Sequence, residues 1–318
     1  MKIFVIDGDG NSRQPSSLED VDLAESKLLW VDLYNPADEE LSAIGQYFDV
    51  HSLVIEDCQK LVDVPKVEEF KEHLFIIWHF LRDHPETEVI EMAGLAALLG
   101  ANYLVTVHNR ELPELEPILS KLSDDPSHFR ESPAVLLHAM MDRSVDDFFP
   151  LVEDLEDEIE VLLDDLIKDA AGNGMEMLLR LKHRNSAIRK TVMVHGDVIG
   201  KLLRPDLPFI PKSSRNYFRD IQDHLVRLGS EVDTNSEYLT TALDVLLGKA
   251  GNRMNVTMKR LAAVATVFLP LMFLVGFWGM NFESMPEFAW EYGYILALTS
   301  IAVVAIVMVV IAKRNDWF

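Results

Sequence analysis

A line of polar, small and unbranched residues recurs at steps of three and four along the last third of the chain, so its members share one helical face. Its members are Asp244, Gly248, Gly251, Asn255, Met258, Leu261 or Ala262, Ala265, Leu269, Met272 and Gly276. In a symmetric ring of helices this face would surround a narrow passage, with carboxylate and amide oxygens at one end and apolar constrictions beyond. It would equally serve as a packing face on which Gly and Ala allow close approach. The sequence leaves both interpretations open.

Two uncharged segments must hold that face in position. Residues 261–282 form a run of 22 residues without a charge, and residues 294–312 form a second run of 19. Each run is long enough to cross the roughly 30 Å of bilayer hydrocarbon as a helix. Two spans cannot enclose a pore within one chain, so a transport function would require an oligomer around an axis.

The flanks of the two segments predict their orientation. Lys259 and Arg260 precede the first span, and Lys313 and Arg314 follow the second. Lys and Arg mark the cytoplasmic side of membrane spans. We therefore expect a multi-pass membrane protein with both termini in the cytoplasm and a short external loop at residues 283–293.

Charge is segregated along the chain. There are 29 Lys and Arg against 52 Asp and Glu, a net charge of -23, although 49% of the residues are hydrophobic. Residues 261–318 hold two bases and four acids, which leaves 27 bases and 48 acids, a net of -21, before them. An acidic body argues against nucleic acid as a partner, because phosphate backbones require a surplus of Lys and Arg. It favours cations or basic partners.

Two further features concern the cellular compartment. The single Cys58 excludes an intrachain disulfide and a cysteine-rich zinc site. The first residues lack the apolar core and cleavage site of a signal peptide. The second observation favours a cytoplasmic location for the acidic part.

Residues 1–130 have the pattern of an α/β domain. Short apolar and β-branched runs predict strands at residues 2–6, 27–33, 74–81, 92–99 and 103–108. Proline near the start and Glu in the first turns predict helices at residues 36–48 and 112–122. This alternation predicts a sheet covered by helices.

Residues 131–260 have the pattern of helices. Residues 142–169 contain twelve acids and an apolar stripe, which predicts a helix whose acidic face is mainly solvated. A basic stretch at residues 178–201 is expected to pair with it as an antiparallel hairpin. A third pattern runs from about residue 214 to about 278 and predicts a helix on the order of 100 Å long that continues into the first span.

The polar line ends at Gly279-Met280-Asn281, directly after the first span, and Phe282-Glu283 and Met285-Pro286-Glu287 follow. In this position the motif resembles the signature of the CorA family of divalent-cation channels. Further matches extend the resemblance over most of the chain. They are Pro65-Lys66-Val67-Glu68, Val145-Asp146-Asp147-Phe148-Phe149, Tyr217-Phe218-Arg219-Asp220, Leu243-Asp244-Val245-Leu246, Pro270-Leu271 and the ending with Lys313, Arg314 and Trp317.

The resemblance implies an α+β membrane protein that assembles as a funnel-shaped homopentamer in the plasma or inner membrane. An α/β domain at residues 1–130 and a helical region with a stalk at residues 131–260 would be cytoplasmic. A pore-lining span at residues 261–282, a loop at 283–293, an outer span at 294–312 and a tail at 313–318 would follow.

The resemblance also implies passive Mg2+ influx, with Co2+ and Ni2+ carried by many members. Gly279, Met280 and Asn281 would form the selectivity filter. The line from Asp244 to Gly276 would line the pore. The external Glu283, Glu287 and Glu291 would concentrate cations at its mouth.

The resemblance further implies that intracellular Mg2+, bound between neighbouring protomers, holds the pore shut. Asp220 occupies the sensing position of the Tyr-Phe-Arg-Asp segment. Asp83, on the α/β domain of a neighbouring protomer, is the nearest candidate for its partner.

The chemistry of the motif agrees with this implied function. Mg2+ takes octahedral oxygen coordination and loses its water reluctantly. A ring of Asn281 amides and backbone carbonyls would bind the hydrated ion without fixed charge, so the ion can also leave. Trp278 replaces the Tyr that is common before the motif, and Met272 replaces a pore-facing Thr of some members, which leaves the width and wetting of the pore open.

Two alternatives remain at this stage. One is a Zn2+ transporter of the ZntB type, against which the acidic loop with Met285-Pro286-Glu287 argues. The other is a membrane-anchored interaction protein. The sequence contains no metalloprotease, nucleophile-elbow or phosphate-loop pattern, so we do not expect an enzyme.

Overall fold

The structure is a computed structural model of the 318-residue chain, and it describes residues 1–61, 64–84, 89–168, 173–280 and 290–315. At residues 83, 84 and 89 it describes the backbone only. The chain divides into two compact units, Met1–Ala242 and Leu243–Phe318.

The first unit contains a mixed sheet of seven strands. The strands are β1 (Lys2–Asp7), β2 (Ser12–Arg13), β3 (Ser26–Tyr34), β4 (Lys66–Glu69), β5 (Leu74–His84), β6 (Val89–Leu99) and β7 (Tyr103–His108). Their order across the sheet is β2-β1-β3-β7-β6-β5-β4. β3 and β7 are parallel, and the other neighbouring pairs are antiparallel.

Helices cover both faces of this sheet. α1 (Asp38–Tyr47) and α2 (Ser52–Lys60) pack in one hydrophobic cluster with Leu29, Val31 and Ile77. Side chains alternate along a strand, so Trp78 points to the opposite face. There its indole Nε1 donates to Ser144 Oγ of α4 (Pro133–Asp146) at 3.1 Å. α3 (Glu116–Asp124) follows a 3-10 turn at Pro113–Leu115.

The predicted α/β pattern is confirmed, with boundary shifts of up to three residues at the predicted strands. The sequence analysis did not predict β2, β4 and α2. β4 reads Lys-Val-Glu-Glu at the edge of the sheet, where charged residues protect a strand from pairing with other chains. Because β4 is polar, a search of the sequence for apolar runs does not detect it.

The predicted helical hairpin is also confirmed. α5 (Phe148–Ile167) and α6 (Gly174–Leu202) pack together, with Leu155, Ile159 and Leu162 buried in the apolar stripe of α5. The Glu158 carboxylate of α5 accepts hydrogen bonds from Arg184 and Arg180 of α6. Opposite charges thus join the acidic helix to the basic one.

One helix spans the boundary between the units. α7 (Arg215–Trp278) has 64 residues and contains Pro270, which corresponds to about 96 Å at 1.5 Å per residue. In the first unit it buries Phe218, Ile221 and Leu228. The second unit consists of its remainder together with α8 (Gly293–Arg314). The helix predicted from about residue 214 to about 278 is therefore confirmed.

Candidate cation path and metal cluster

Within the second unit, α7 has a covered face and an exposed face. Ala263 and Val267 are only 2% and 9% exposed, whereas Leu261, Leu269 and Met272 are 69–72% exposed. At 100° per residue these two sets lie on opposite sides of the helix. The described residues therefore cover one side of α7 and leave the other side exposed.

The line that the sequence singled out lies on the exposed side, which also includes residues outside the line, such as Phe273. Gly251 of that line is partly exposed, and the other members, from Asp244 and Asn255 to Gly276, are exposed. Because it is exposed, the line is not a packing face between the described parts of the two spans of one chain. It remains available to face an axis or a second copy.

Two described helices have the length and composition of membrane spans. α7 contains an 18-residue window of mean hydropathy 2.2 that is 11% buried, and α8 contains one of 3.0 that is 6% buried. A core helix of a soluble protein would be largely buried. Contiguous apolar surface of this extent requires lipid or protein to cover it.

The predicted filter begins at the end of α7. The Gly279 amide donates to the Val275 carbonyl at 3.0 Å, and the Met280 amide donates to the Phe277 carbonyl at 3.3 Å. A Cβ at Gly279 would lie 3.2 Å from the Val275 carbonyl oxygen, so glycine suits this tight end. Asn281 lies outside the described residues.

The external acids are only partly within the described chain. Glu283 and Glu287 lie outside it, whereas Glu291 is exposed. Glu291 and three aromatic residues, Trp278, Trp290 and Tyr294, line a crevice of about 440 Å3 between the end of α7 and the start of α8. Aromatic rings are typical of the interface between membrane and water.

A candidate metal site lies in the first unit, where α4 meets the first turns of α7. Asp142 of α4 and Asp220 and His224 of α7 each offer a ligand atom, and these atoms all lie within 4.8 Å of one another. We call these three residues the metal cluster. The spacing of four residues places Asp220 and His224 on one face of α7. The ring of Phe149 packs edge-on against His224, with centroids 5.7 Å apart.

Crowded negative charge characterises the metal cluster. Burial raises the pKa of the Asp142 carboxyl, Asp146 and Asp220 raise it further, and His224 lowers it. Asp146 Oδ1 lies 4.0 Å from His224 Nδ1, at the rim of the cluster. One turn earlier on α4, burial lowers the pKa of His138 to about 4, against the effect of Asp220. A divalent cation would relieve the repulsion between the carboxylates.

The metal cluster differs from the sequence expectation in part. Asp220 was predicted as a metal ligand, but its neighbours Asp142 and His224 were not. Asp142 was included in the acidic run that was interpreted as a solvated face, although it is half-buried. The spacing of Asp220 and His224 was the one available signal. The side chain of Asp83, the predicted partner, lies outside the described residues.

A second group of charges lies at the end of α4, where α5 begins. Both carboxylate oxygens of Glu114 accept hydrogen bonds from Arg82 of β5. Arg82 Nε donates to Oε1 at 2.9 Å, and Nη2 donates to Oε2 at 2.6 Å. Arg143 Nη2 lies 3.0 Å from Asp147 Oδ1. Burial raises the pKa of Asp147, against the effect of Arg143, and Glu114 and Asp146 raise it further.

Comparisons with known proteins match most of the chain to one family of transporters. A family model described as CorA-like Mg2+ transporter protein matches residues 25–314. The cobalt/magnesium transport protein CorA of Thermotoga maritima is 32% identical over 275 residues, which cover 86% of this chain and 78% of that protein.

Solved structures show the same architecture. The complete structure of the CorA magnesium transporter from Methanocaldococcus jannaschii matches with a TM-score of 0.81 at 25% identity and covers 100% of this chain and 99% of that one. The ZntB cytoplasmic domain from Vibrio parahaemolyticus matches with a TM-score of 0.66, covering 79% of this chain and 98% of that domain, but only 9% of the residues are identical. This second likeness concerns the fold alone.

Proposed function

Because this chain belongs to the CorA-like Mg2+ transporter family, we propose that it is a homopentameric channel through which Mg2+ enters the cytoplasm passively. Co2+ and Ni2+ are further proposed substrates. The observation that carries this proposal is the exposed line on α7, which lies opposite the side that the chain covers itself. Five copies arranged around an axis would place this line around a single path.

The proposed path has three parts. Rings of Asp244 and Asn255 offer oxygen atoms at the cytoplasmic end, and Leu269 and Met272 form apolar constrictions within the membrane. A ring of Asn281 at the outer end binds the ion through its water shell, because Mg2+ dehydrates reluctantly. The membrane potential drives entry with roughly 4.6 kcal/mol per divalent ion at 100 mV, twice the single-charge value.

We further propose that the metal cluster binds the regulatory cation. Its two carboxylates supply the oxygen ligands that Mg2+ prefers, and the imidazole of His224 suits Co2+ and Ni2+. Asp220 thus binds metal within its own protomer, and Asp83 of a neighbouring protomer stays a proposed second contact. Occupancy would hold neighbouring protomers together and keep the channel shut.

The test of transport is Mg2+ uptake into proteoliposomes that contain the purified protein and an entrapped Mg2+ indicator. We expect uptake that follows the imposed potential and that Asn281→Ala abolishes, while the oligomer measured by light scattering is unchanged. Ser300→Ala, in the second span, is the matched control. An interaction protein without channel activity would show no uptake in any variant.

Competition between ions tests the Zn2+ alternative. The same vesicles should take up Mg2+ in the presence of equimolar Zn2+, and Co2+ and Ni2+ should compete with Mg2+. Zn2+ uptake without Mg2+ uptake would instead support a transporter of the ZntB type.

A further inference from the structure

α4 lies between the metal cluster and the sheet and contacts both. Asp142 and Asp146 are on the side of α4 that faces α7. Ser144 is on the opposite side, where its hydroxyl accepts from Trp78 and donates to the His79 carbonyl of β5 at 3.3 Å. A shift of α4 toward a bound metal would therefore act on β5 through the hydrogen bonds of Ser144.

The contact with β5 continues at the junction of α4 and α5. Asp147 is the single residue between these helices, and it pairs with Arg143 one turn earlier on α4. Its carboxylate lies in the field of both Arg82 and Glu114, which bind each other in a bidentate geometry. Arg82 and Glu114 thus join β5 to the 3-10 turn before α3, and the charge of Asp147 at the junction interacts with both of them.

The Arg82–Glu114 pair has the properties of a rigid connection. The Glu114 side chain is only 13% exposed and that of Arg82 is 29% exposed. A bidentate pair that is partly shielded from water is stronger and more directional than an exposed ion pair. Arg82 lies near the carboxyl end of β5, immediately before Asp83.

We propose that Glu114 is a positioning residue, which holds Arg82 so that metal occupancy of the metal cluster reaches the carboxyl end of β5 through α4. This inference rests on the proposed regulatory role of the cluster. Glu114 contacts no ligand of that cluster. Its loss should therefore weaken the response of β5 to Mg2+ and leave the affinity for Mg2+ unchanged.

The experiment measures hydrogen exchange of the backbone amides of β5 in the full-length protein, with and without Mg2+. In the wild type we expect Mg2+ to slow exchange at residues 79–84. Glu114→Gln should reduce this slowing by about 2- to 30-fold, the range for couplings carried by residues outside a binding site. The Mg2+ concentration at the midpoint of thermal stabilisation should not change.

Two variants serve as controls. Asp57→Asn removes a partly buried ion pair of the same domain, with Lys66 at 2.7 Å, and should respond as the wild type does. Asp142→Asn removes a cluster ligand and should remove most of both the slowing and the stabilisation. Arg82→Lys, which keeps the charge and loses the bidentate geometry, replaces Glu114→Gln if that variant does not fold.

The outcomes separate the two proposals. If Asp142→Asn abolishes the response but Glu114→Gln and Arg82→Lys keep it in full, the positioning role is wrong and the metal cluster stands. If Asp142→Asn keeps the full response, both the cluster as a regulatory site and the coupling are wrong. A loss in Asp57→Asn equal to that in Glu114→Gln would show general destabilisation and would also overturn the inference.

Discussion

Replacing Asp142 by Asn should stabilise the protein without metal and remove most of its stabilisation by metal. The Asp142 and Asp220 ligand atoms lie within 4.8 Å of each other. At that distance two like charges repel by about 1 kcal/mol in water and about 3.5 kcal/mol at an effective dielectric constant near 20. Asp220 is exposed, so we use the lower value.

This repulsion converts into a measurable shift of the melting temperature. For a unit the size of Met1–Ala242, 1 kcal/mol corresponds to about 2–4 °C. In EDTA, Asp142→Asn should therefore melt about 2–4 °C above the wild type. With Mg2+ at one hundred times its dissociation constant, the wild type should gain about 2.7 kcal/mol, or roughly 5–10 °C, and the variant much less.

The assay is a thermal melt of the full-length protein in detergent, in EDTA and along a Mg2+ series. The order of the two melting temperatures should reverse as Mg2+ increases. Asp154→Asn, an exposed carboxylate on α5, is the matched control and should keep the full Mg2+ response. An Asp142→Asn protein that melts below the wild type in EDTA and keeps the full response would refute the reasoning.

Three further predictions concern the first unit. Burial would lower the pKa of His108, but Asp32 raises it overall. The His108–Asp32 pair therefore contributes its full stability below about pH 6.5, and this contribution is lost as the pH rises through the folded pKa. Urea titrations at a series of pH values should show that His108→Gln removes this pH dependence. Gly10→Ala should cost about 1–3 kcal/mol in the same assay, because Gly10 has a φ of 88° and a Cβ would displace the Arg130 guanidinium, which donates to the Gly10 carbonyl. Leu155→Ala should cost about 2–5 kcal/mol, because Leu155 is fully buried. An unchanged free energy of unfolding in any of these variants would contradict the prediction for that variant.

Long-range periodicity made the helical part of the fold predictable. The apolar spacing of α5 and the uninterrupted pattern of α7 each extend over several turns, so errors at single positions average out. The parallel pair of β3 and β7 was also visible as apolar runs, because strands buried on both faces show no polar alternation.

The metal cluster could not be predicted in full for a physical reason. Asp142 and Asp220 are far apart in the chain and meet only because α4 packs near the first turns of α7. In the sequence, Asp142 has the same appearance as the solvated carboxylates that follow it. The α4 face on which it lies depends on tertiary packing, which a single sequence does not specify.

The central claim is that the exposed line of α7 surrounds the cation path, and thiol accessibility tests it most directly. Met272 of the line and Phe273 beside it are 71% and 70% exposed, but they point 100° apart. In a Cys58→Ser background, Mg2+ uptake into proteoliposomes is measured before and after a charged methanethiosulfonate reagent is added. The reagent should block Mg2+ uptake by the Met272→Cys variant and leave uptake by the Phe273→Cys variant unchanged. If the reagent blocks uptake by Phe273→Cys and does not affect uptake by Met272→Cys, the central claim is wrong.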